Sequence, residues 1–429
     1  MGKKNANGEG SIFQRKDGRW VGEAYVLTTD GTFKRRTVYG KTWEETHEKL
    51  TKLKADSNSG VPIATNKMTL AEYLTYWLTN VANVKVRKTT YVNYESLVRN
   101  YIVPGLGKKK IARLAARDIR AFLVKTARTC QCCAQGKDKN RPERKQRCCA
   151  VGQCCRKYPS DRTVRFLLVI LRAALQHAVR EDELPRNVAR NVELGMGTKR
   201  EIEPLAVDEG RRLLTAARGN RLWAAYELAV RIGLRRGELL GLRWKDVDLH
   251  EGILTVRQAL QRVGGELLIV APKTQRSARR VALPAECVTA LRAQRAQQLA
   301  DKRAAGENWK GTGQGLVFTT KNGTPIEPRN LNRSFEALCV RSGVRRVRFH
   351  DLRHTCASLL HEQGADARMI MEVLGHSSIR VTMDIYTFVR LDAQRSAFDR
   401  VGDALSADSN RRDDGEDDGD GQAGLPVAV

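Results

Sequence analysis

Four short segments of this 429-residue chain, well separated along it, hold residue types suited to phosphodiester chemistry. The first is Gly233-Leu234-Arg235-Arg236-Gly237-Glu238-Leu239-Leu240-Gly241-Leu242-Arg243-Trp244, and the second is Pro272-Lys273-Thr274. The third is His350-Asp351-Leu352-Arg353-His354, and the fourth is Leu374-Gly375-His376-Ser377-Ser378, with Tyr386 ten residues after its histidine. Breaking a phosphodiester without a metal gathers negative charge on the non-bridging oxygens, and fixed cations or donors aimed there are usually the largest catalytic effect. Guanidiniums suit this, because each offers a planar fork to phosphate and keeps its charge. Arg235 and Arg353 are the candidates. A tyrosine hydroxyl, with a free pKa of about 10, is a poor nucleophile at neutral pH and needs a neighbouring base and a cationic field. Tyr386 is the candidate nucleophile and His350 its base or hydrogen-bond partner, while Lys273 is placed to protonate the leaving 5′-oxygen and His376 to donate to the phosphate. Such chemistry stores the bond energy in a phosphotyrosyl ester, so no metal or nucleotide cofactor is expected for catalysis.

Each residue alone has a plainer account. Arg235 beside Arg236 fits a solvated helix face, and Tyr386 fits a core aromatic. Lys245, Arg276, Arg279 and Arg280 compete with Lys273. His350 and His354, four apart on a helix, have the spacing of a zinc hydrolase, but that pattern needs glutamate where Asp351 stands. What raises the phosphodiester reading is the conjunction of all the required groups, in order, in one basic chain. On a helix, His350 and Arg353 are three apart and share a face.

The charge points the same way. Lys and Arg number 76 against 48 Asp and Glu, for a formal net charge of +28. Residues 403–429 hold eight acidic and two basic side chains, so the excess is concentrated before them. A body this positive attracts a polyanion, although charge alone leaves RNA-binding and ribosomal proteins open. There is no apolar run of the roughly 18 residues a membrane helix needs. Nor does an apolar stretch follow Met1-Gly2-Lys3-Lys4-Asn5, so a cytoplasmic protein is expected.

The elements that must position these residues fall into blocks. In residues 1–60, three alternating segments at 11–15, 20–27 and 33–39 are separated by Asp17-Gly18 and Asp30-Gly31, the dipeptides of tight hairpins. A helix capped by Thr42 follows over 43–55, with Glu45 completing the cap. The strands are rich in Arg and Lys and form a ribbon suited to a major groove. Residues 56–66 read as linker. Residues 67–195 read as all-helical, with helices near 69–77, 89–102, 116–127 and 161–180, broken by a cysteine-rich insert at 128–158. Residues 200–402 mix helix with strands at 253–257, 267–270 and 279–283, and 403–429 read as a disordered acidic tail. The predicted fold class is multidomain and mainly α with α+β parts.

Seven of the ten cysteines crowd between Cys130 and Cys155. In a reducing compartment such clustering suggests metal before disulfides. Cys130-x2-Cys133 and Cys149-x4-Cys154 have the paired spacing of a structural zinc site, with Cys132, Cys148 and Cys155 as alternate ligands. One zinc, or a reduced basic loop, are the two readings.

Gly-Leu-Arg-Arg-Gly-Glu-Leu-Leu-Gly-Leu-Arg-Trp, His-Asp-Leu-Arg-His-Thr and Leu-Gly-His-Ser-Ser…Tyr, in this order, resemble the tyrosine recombinases, the phage integrase family. The family's first arginine stands three residues before the glutamate, which is Arg235 here rather than Arg236. Lys273, His350, Arg353, His376 and Tyr386 fall on its remaining positions. Residues 69–190 look like its helical core-site-binding domain, and residues 8–60 like the small three-stranded arm-binding domain of many mobile-element integrases. The insert departs from the usual pattern. The resemblance implies cleavage through a covalent 3′-phosphotyrosyl bond, double-stranded attachment sites, a homodimer on one site and a homotetramer in synapsis. An excisionase and a host DNA-bending protein are the accessory partners it implies. The rivals are a type IB topoisomerase, which would relax one duplex without exchange, and a non-catalytic zinc-containing DNA-binding regulator.

Overall fold

The computed structural model describes residues 10–28, 32–58, 68–195, 202–271, 278–311, 313–376, 378–383 and 391–406. The chain divides into two units, 1–199 and 200–429. No helix among the described residues is long and apolar enough to cross a membrane.

In the first unit, Asp17-Gly18 closes a hairpin. Gly18 takes a φ of +80°, and Asp17 Oδ1 accepts from the Arg19 N–H at 3.2 Å. Strands Ser11–Gln14, Trp20–Leu27 and Phe33–Gly40 pair antiparallel in sequence order, with Ser11 opposite Glu23 and Trp20 opposite Gly40. Strand alternation turns Ala24 and Val26 toward Leu50 of helix Trp43–Asn58. The opposite face carries exposed Phe13, Tyr25, Phe33 and Tyr39, with Arg35 paired across from Tyr25. The expected cap forms with one change. The Glu45 N–H donates to Thr42 Oγ1 at 3.2 Å, but the Glu45 carboxylate accepts from the Lys41 N–H, at 2.7 Å, rather than from Thr42. The helix also runs through 56–58, three residues that composition assigns to a linker. Asp30-Gly31 and 59–67 lie outside the described residues.

Thr69 and Glu72 cap helix Leu70–Tyr76 reciprocally. Leu70, Tyr73, Leu74 and Trp77, the stripe expected from their spacing, are buried with Ile102, Ile119, Leu123 and the apolar face of helix Asp161–Arg180. Fully burying one such side chain contributes about 1.5–3 kcal/mol, so the stripe alone secures the helix. Helices Ala116–Ala127 and Asp161–Arg180 coincide with their expected spans. Two turns widen to π geometry, Trp77–Ala82 and Val98–Ile102. The insert forms short helical turns at Gln131–Ala134, Glu143–Lys145 and Cys149–Val151, and its ends meet where the Gln131 N–H donates to the Lys157 carbonyl at 2.9 Å.

The second unit packs helices around a core that includes the almost wholly buried helix Trp223–Arg231. Strands Val247–Asp248, Ile253–Val256 and Arg279–Ala282 make one antiparallel sheet. Ala259–Val263 and Glu266–Val270 make a separate hairpin. Its turn is Gly264-Gly265, both at positive φ (58° and 91°), as a two-residue hairpin turn requires.

Candidate active site

Three of the four chemistry-bearing segments converge on one helix end. Helix Ala367–Leu374 starts at Asp366, whose carboxylate accepts from the Met369 N–H at 2.6 Å, and stops at Gly375, at a φ of +64°. A left-handed C-terminal residue is cheap for glycine, and it turns the last carbonyls outward without intrahelical partners. Three successive carbonyls each take a guanidinium from a different part of the chain. Val373 O accepts from Arg279 Nε at 2.6 Å, Leu374 O from Arg353 Nη2, and Gly375 O from Arg235 Nη2 at 2.8 Å. Cations at a helix C-terminus also oppose its negative dipole end.

Each arginine is held from a second side. Arg353, in helix Asp351–Glu362, is only 3% exposed and donates through Nη1 to the Gly233 carbonyl at 2.9 Å. Gly233 has a φ of +64° and packs against Leu374 and Cys356. Arg235 stands at the N-cap of helix Arg236–Leu240 and donates to Glu238 Oε1 at 2.7 Å. Glu238 Oε2 accepts from Arg279 Nη2 at 3.0 Å. Burial opposes the ionisation of Glu238, but Arg279 and then Arg235 outweigh it and hold the carboxyl below its usual range. One buried carboxylate therefore bridges two of the three cations.

The histidines lie in the field of these cations. His376 is buried, and burial, then Arg353 and Arg235, push its pKa down to about 3. His350 keeps an exposed edge. Shielding of its ring, then His354 and Arg353, lower its pKa too. His354 stacks edge-on to it with centroids 5.7 Å apart. Both rings are thus set to be neutral at pH 7, able to accept a proton or donate one N–H. Asp351, which would have to be glutamate for zinc hydrolysis, is instead bound by the Arg348 guanidinium, at 2.7 Å from Nη2. The metal-capable His, Cys and carboxylate groups among the described residues are both sets of insert cysteines. Arg235, Arg262, Arg329, Arg346, Arg348 and His350 line an open cleft of about 990 Å³ in this unit.

Of the six expected catalytic residues, the structure brings Arg235, Arg353, His350 and His376 together. Lys273 and Tyr386 lie outside the described residues, between Val270 and Arg279 and between Met383 and Leu391. Arg279 is the buried centrepiece that sequence reasoning treats only as a rival to Lys273. A signal was there. Strand alternation puts Arg279 on the inward face with Val281, and an inward charge on a strand must have a buried partner. Cys130, Cys133, Cys149 and Cys154 have sulfurs within 4.8 Å of one another, as do Cys132, Cys148, Cys149 and Cys155.

Comparison with known proteins follows the same segments. Residues 203–392 match the phage integrase family, and residues 69–126 match the phage integrase N-terminal SAM-like domain. The chain is 29% identical over 391 residues to a tyrosine recombinase XerC-like protein of Caldanaerobacter subterraneus subsp. tengcongensis, across 87% of this chain and 93% of that one. It is 28% identical over 402 residues to an integrase of Streptomyces ambofaciens, covering 90% and 94% respectively. Among solved structures, the Tn1549 transposon integrase in complex with transposon right-end DNA has the same fold, with a TM-score of 0.59 and 20% identity over 78% of this chain and 100% of that one.

Proposed function

Because the chain belongs to the phage integrase family of tyrosine recombinases, we propose that it cuts and rejoins attachment-site DNA through a 3′-phosphotyrosyl bond on Tyr386. The observation that carries this reading is the pair of guanidiniums, Arg235 and Arg353, fixed on adjacent carbonyls beside His350 and His376. Tyr386 Oη attacks phosphorus, and its proton passes to the neutral His350. Arg235 and Arg353 hold the non-bridging oxygens with the N–H groups not used on Gly375, Glu238, Leu374 and Gly233, and His376 donates one more hydrogen bond. The leaving 5′-oxygen takes a proton from Lys273. A 5′-hydroxyl of a second DNA end then gives its proton to Lys273 and attacks the phosphotyrosyl ester, and Tyr386 leaves with the proton returned by His350, so there is no net change in bond count and no cofactor is consumed.

Residues 1–60 serve as an arm-site module through the face of Tyr25, Phe33, Tyr39 and Arg35, whose rings and charge suit DNA. Residues 67–195 grip the core site, residues 200–402 perform the chemistry, and residues 403–429 form an acidic tail. The protein acts in the cytoplasm of a bacterial host, integrating or excising a mobile element. It works as a dimer on one site and a tetramer in synapsis, with an excisionase and a host bending protein setting direction. The cysteines of the insert hold structural zinc.

Incubation with a nicked suicide duplex tests the central claim. The native chain accumulates a covalent protein–DNA adduct, whereas Tyr386→Phe binds the site and yields none. Cleavage by the Phe variant at a comparable rate would assign the nucleophile elsewhere. Exchange of ends between two labelled duplexes separates recombination from the nicking and religation of a type IB topoisomerase.

A further inference from the structure

All seven insert cysteines gather in one place. Cys130 Sγ lies 3.9 Å from Cys149 Sγ and 3.8 Å from Cys155 Sγ. Cys132 and Cys148 are 3.8 Å apart, Cys133 and Cys154 3.7 Å, and Cys149 and Cys155 3.7 Å. None is in a disulfide, and these separations are well beyond the S–S bond of about 2.05 Å. They agree instead with another length. Four thiolates about 2.3 Å from a tetrahedral zinc lie about 3.8 Å from one another.

Two sets of four approach that geometry, each with all its sulfurs within 4.8 Å of one another, and they share one member. Cys130, Cys133, Cys149 and Cys154 form the first, and Cys132, Cys148, Cys149 and Cys155 the second. Two tetrahedra with a common vertex need seven ligands, and the cluster has seven cysteines. A single metal would leave three thiols crowded against it with nothing to bind. An all-disulfide alternative would leave one thiol over.

We propose that the insert is a binuclear zinc module in which the Cys149 thiolate bridges two metals, a claim that rests on the reading that these cysteines hold zinc at all. Cys130, Cys133 and Cys154 complete one tetrahedron, and Cys132, Cys148 and Cys155 the other. Each cysteine loses its thiol proton on binding. Seven thiolates against two divalent cations leave three negative charges, which nine Lys and Arg against two acidic residues in 128–158 offset.

The surroundings are built for thiolates. The Lys157 N–H points to Cys130 Sγ at 3.3 Å and the Arg156 N–H to Cys154 Sγ at 3.5 Å, the outer hydrogen bonds that orient metal ligands. The bridging residue has its own anchor. Asp138 is fully buried, and its carboxylate accepts from the N–H groups of Cys148 at 2.9 Å, Ala150 at 3.1 Å and Arg147 at 3.2 Å. The backbone on both sides of Cys149 is thereby fastened through its N–H groups.

The test is metal counting on the full-length chain, purified under reducing conditions without chelator. Elemental analysis gives two zinc ions per chain, and native mass spectrometry gives the same mass increment. Exchange for cadmium gives two resonances in the thiolate region, each split by the other through the shared sulfur. Cys132→Ser and Cys133→Ser each leave one tightly held ion, while Cys149→Ser loosens both to a competing chelator over the same range. One zinc per chain, with Cys132, Cys148 and Cys155 freely alkylated in the folded protein, would overturn the binuclear site and leave a mononuclear one standing. Two uncoupled cadmium signals would remove the bridge. No zinc would dismiss the metal reading of the insert altogether. The stoichiometry of the unmutated chain decides even if a serine variant misfolds.

Discussion

Arg235 and Arg236 are neighbours with opposite situations. Arg235 is tied to Glu238 and Gly375, while Arg236 is exposed at the wall of the cleft. Arg235→Ala and Arg353→Ala are therefore expected to slow suicide-substrate cleavage by about 100-fold or more, the usual effect of deleting one transition-state donor. Arg236→Ala loses much less, and equal losses at the two neighbours would put the register in error. Protonation gives a second residue-scale prediction. His376 has a folded-state pKa near 3 against an ordinary 6.5, and His350 and His354 are lowered too, in each case by burial first. At a pH between these values the unfolded chain binds protons that the folded chain refuses. The stability contributed by the neutral rings is therefore fully present above pH 6.5 and is lost as pH falls toward 3. Urea unfolding of the second unit is expected at lower denaturant at about pH 5 than at about pH 8, and His376→Gln flattens that dependence. An unchanged slope in the variant would show that the imidazole is not a source of it. Arg235, His350, Arg353 and His376 were legible because each sits in a short local motif. Arg279 was not, because its partners Glu238 and Val373 lie 41 and 94 residues away and only folding brings them near.

At the scale of elements, legibility followed periodicity. Helices Ala116–Ala127 and Asp161–Arg180 have long amphipathic stripes and clear starts, and they stand where expected. The π turns at Trp77–Ala82 and Val98–Ile102 leave no mark in the sequence, since one extra residue per turn hardly disturbs an apolar stripe. The helix past Ala55 is not legible in the sequence, because Asp-Ser-Asn composition favours turns over helix. One of the two left-handed glycines of the site, Gly233, makes a testable pair with Gly343 outside it. At Gly233 an added Cβ would lie 2.4 Å from Leu374 Cδ2, on a backbone at a φ of +64°. At Gly343 (φ +62°) a Cβ would meet nothing within 4 Å. Gly343→Ala should thus cost only the backbone strain, about 1–3 kcal/mol. Gly233→Ala should cost more and also slow cleavage, because the carbonyl that holds Arg353 moves. Equal unfolding midpoints for the two variants would refute the steric argument.

For the whole molecule the governing quantity is charge. A formal net charge of +28 makes DNA affinity steeply salt-dependent, through release of counterions from neutralised phosphates. Residues 407–429 hold seven acidic and two basic side chains and work against that attraction. Their deletion is expected to tighten binding to arbitrary duplex at low salt, and the gain should fade by about 0.5 M salt, where the screening length is only a few ångströms. A filter-binding titration at several salt concentrations measures this, and a gain that persisted at high salt would assign the tail a direct contact instead. The insert illustrates what composition leaves undecided. Its cysteine count and spacing were plain, but how seven sulfurs divide between ligand sets depends on Asp138 and the turns it fastens.

Three guanidiniums on three successive carbonyls also fix what kinds of change this protein tolerates. Arg279, Arg353 and Arg235 reach Val373, Leu374 and Gly375 from 94, 21 and 140 residues away. Slipping that helix end by one peptide would hand each arginine its neighbour's oxygen and displace all three together, so the arrangement works like a key with three teeth. A one-residue insertion or deletion there misaligns every tooth at once. The insert is the opposite case. Residues 128–158 leave and rejoin the fold side by side at Gln131 and Lys157, so a change of length between the cysteine-bearing turns leaves the flanking helices where they are. Lineages of this chain should accordingly vary freely in length between the Ala116–Ala127 and Asp161–Arg180 helices, and not at all across 373–375.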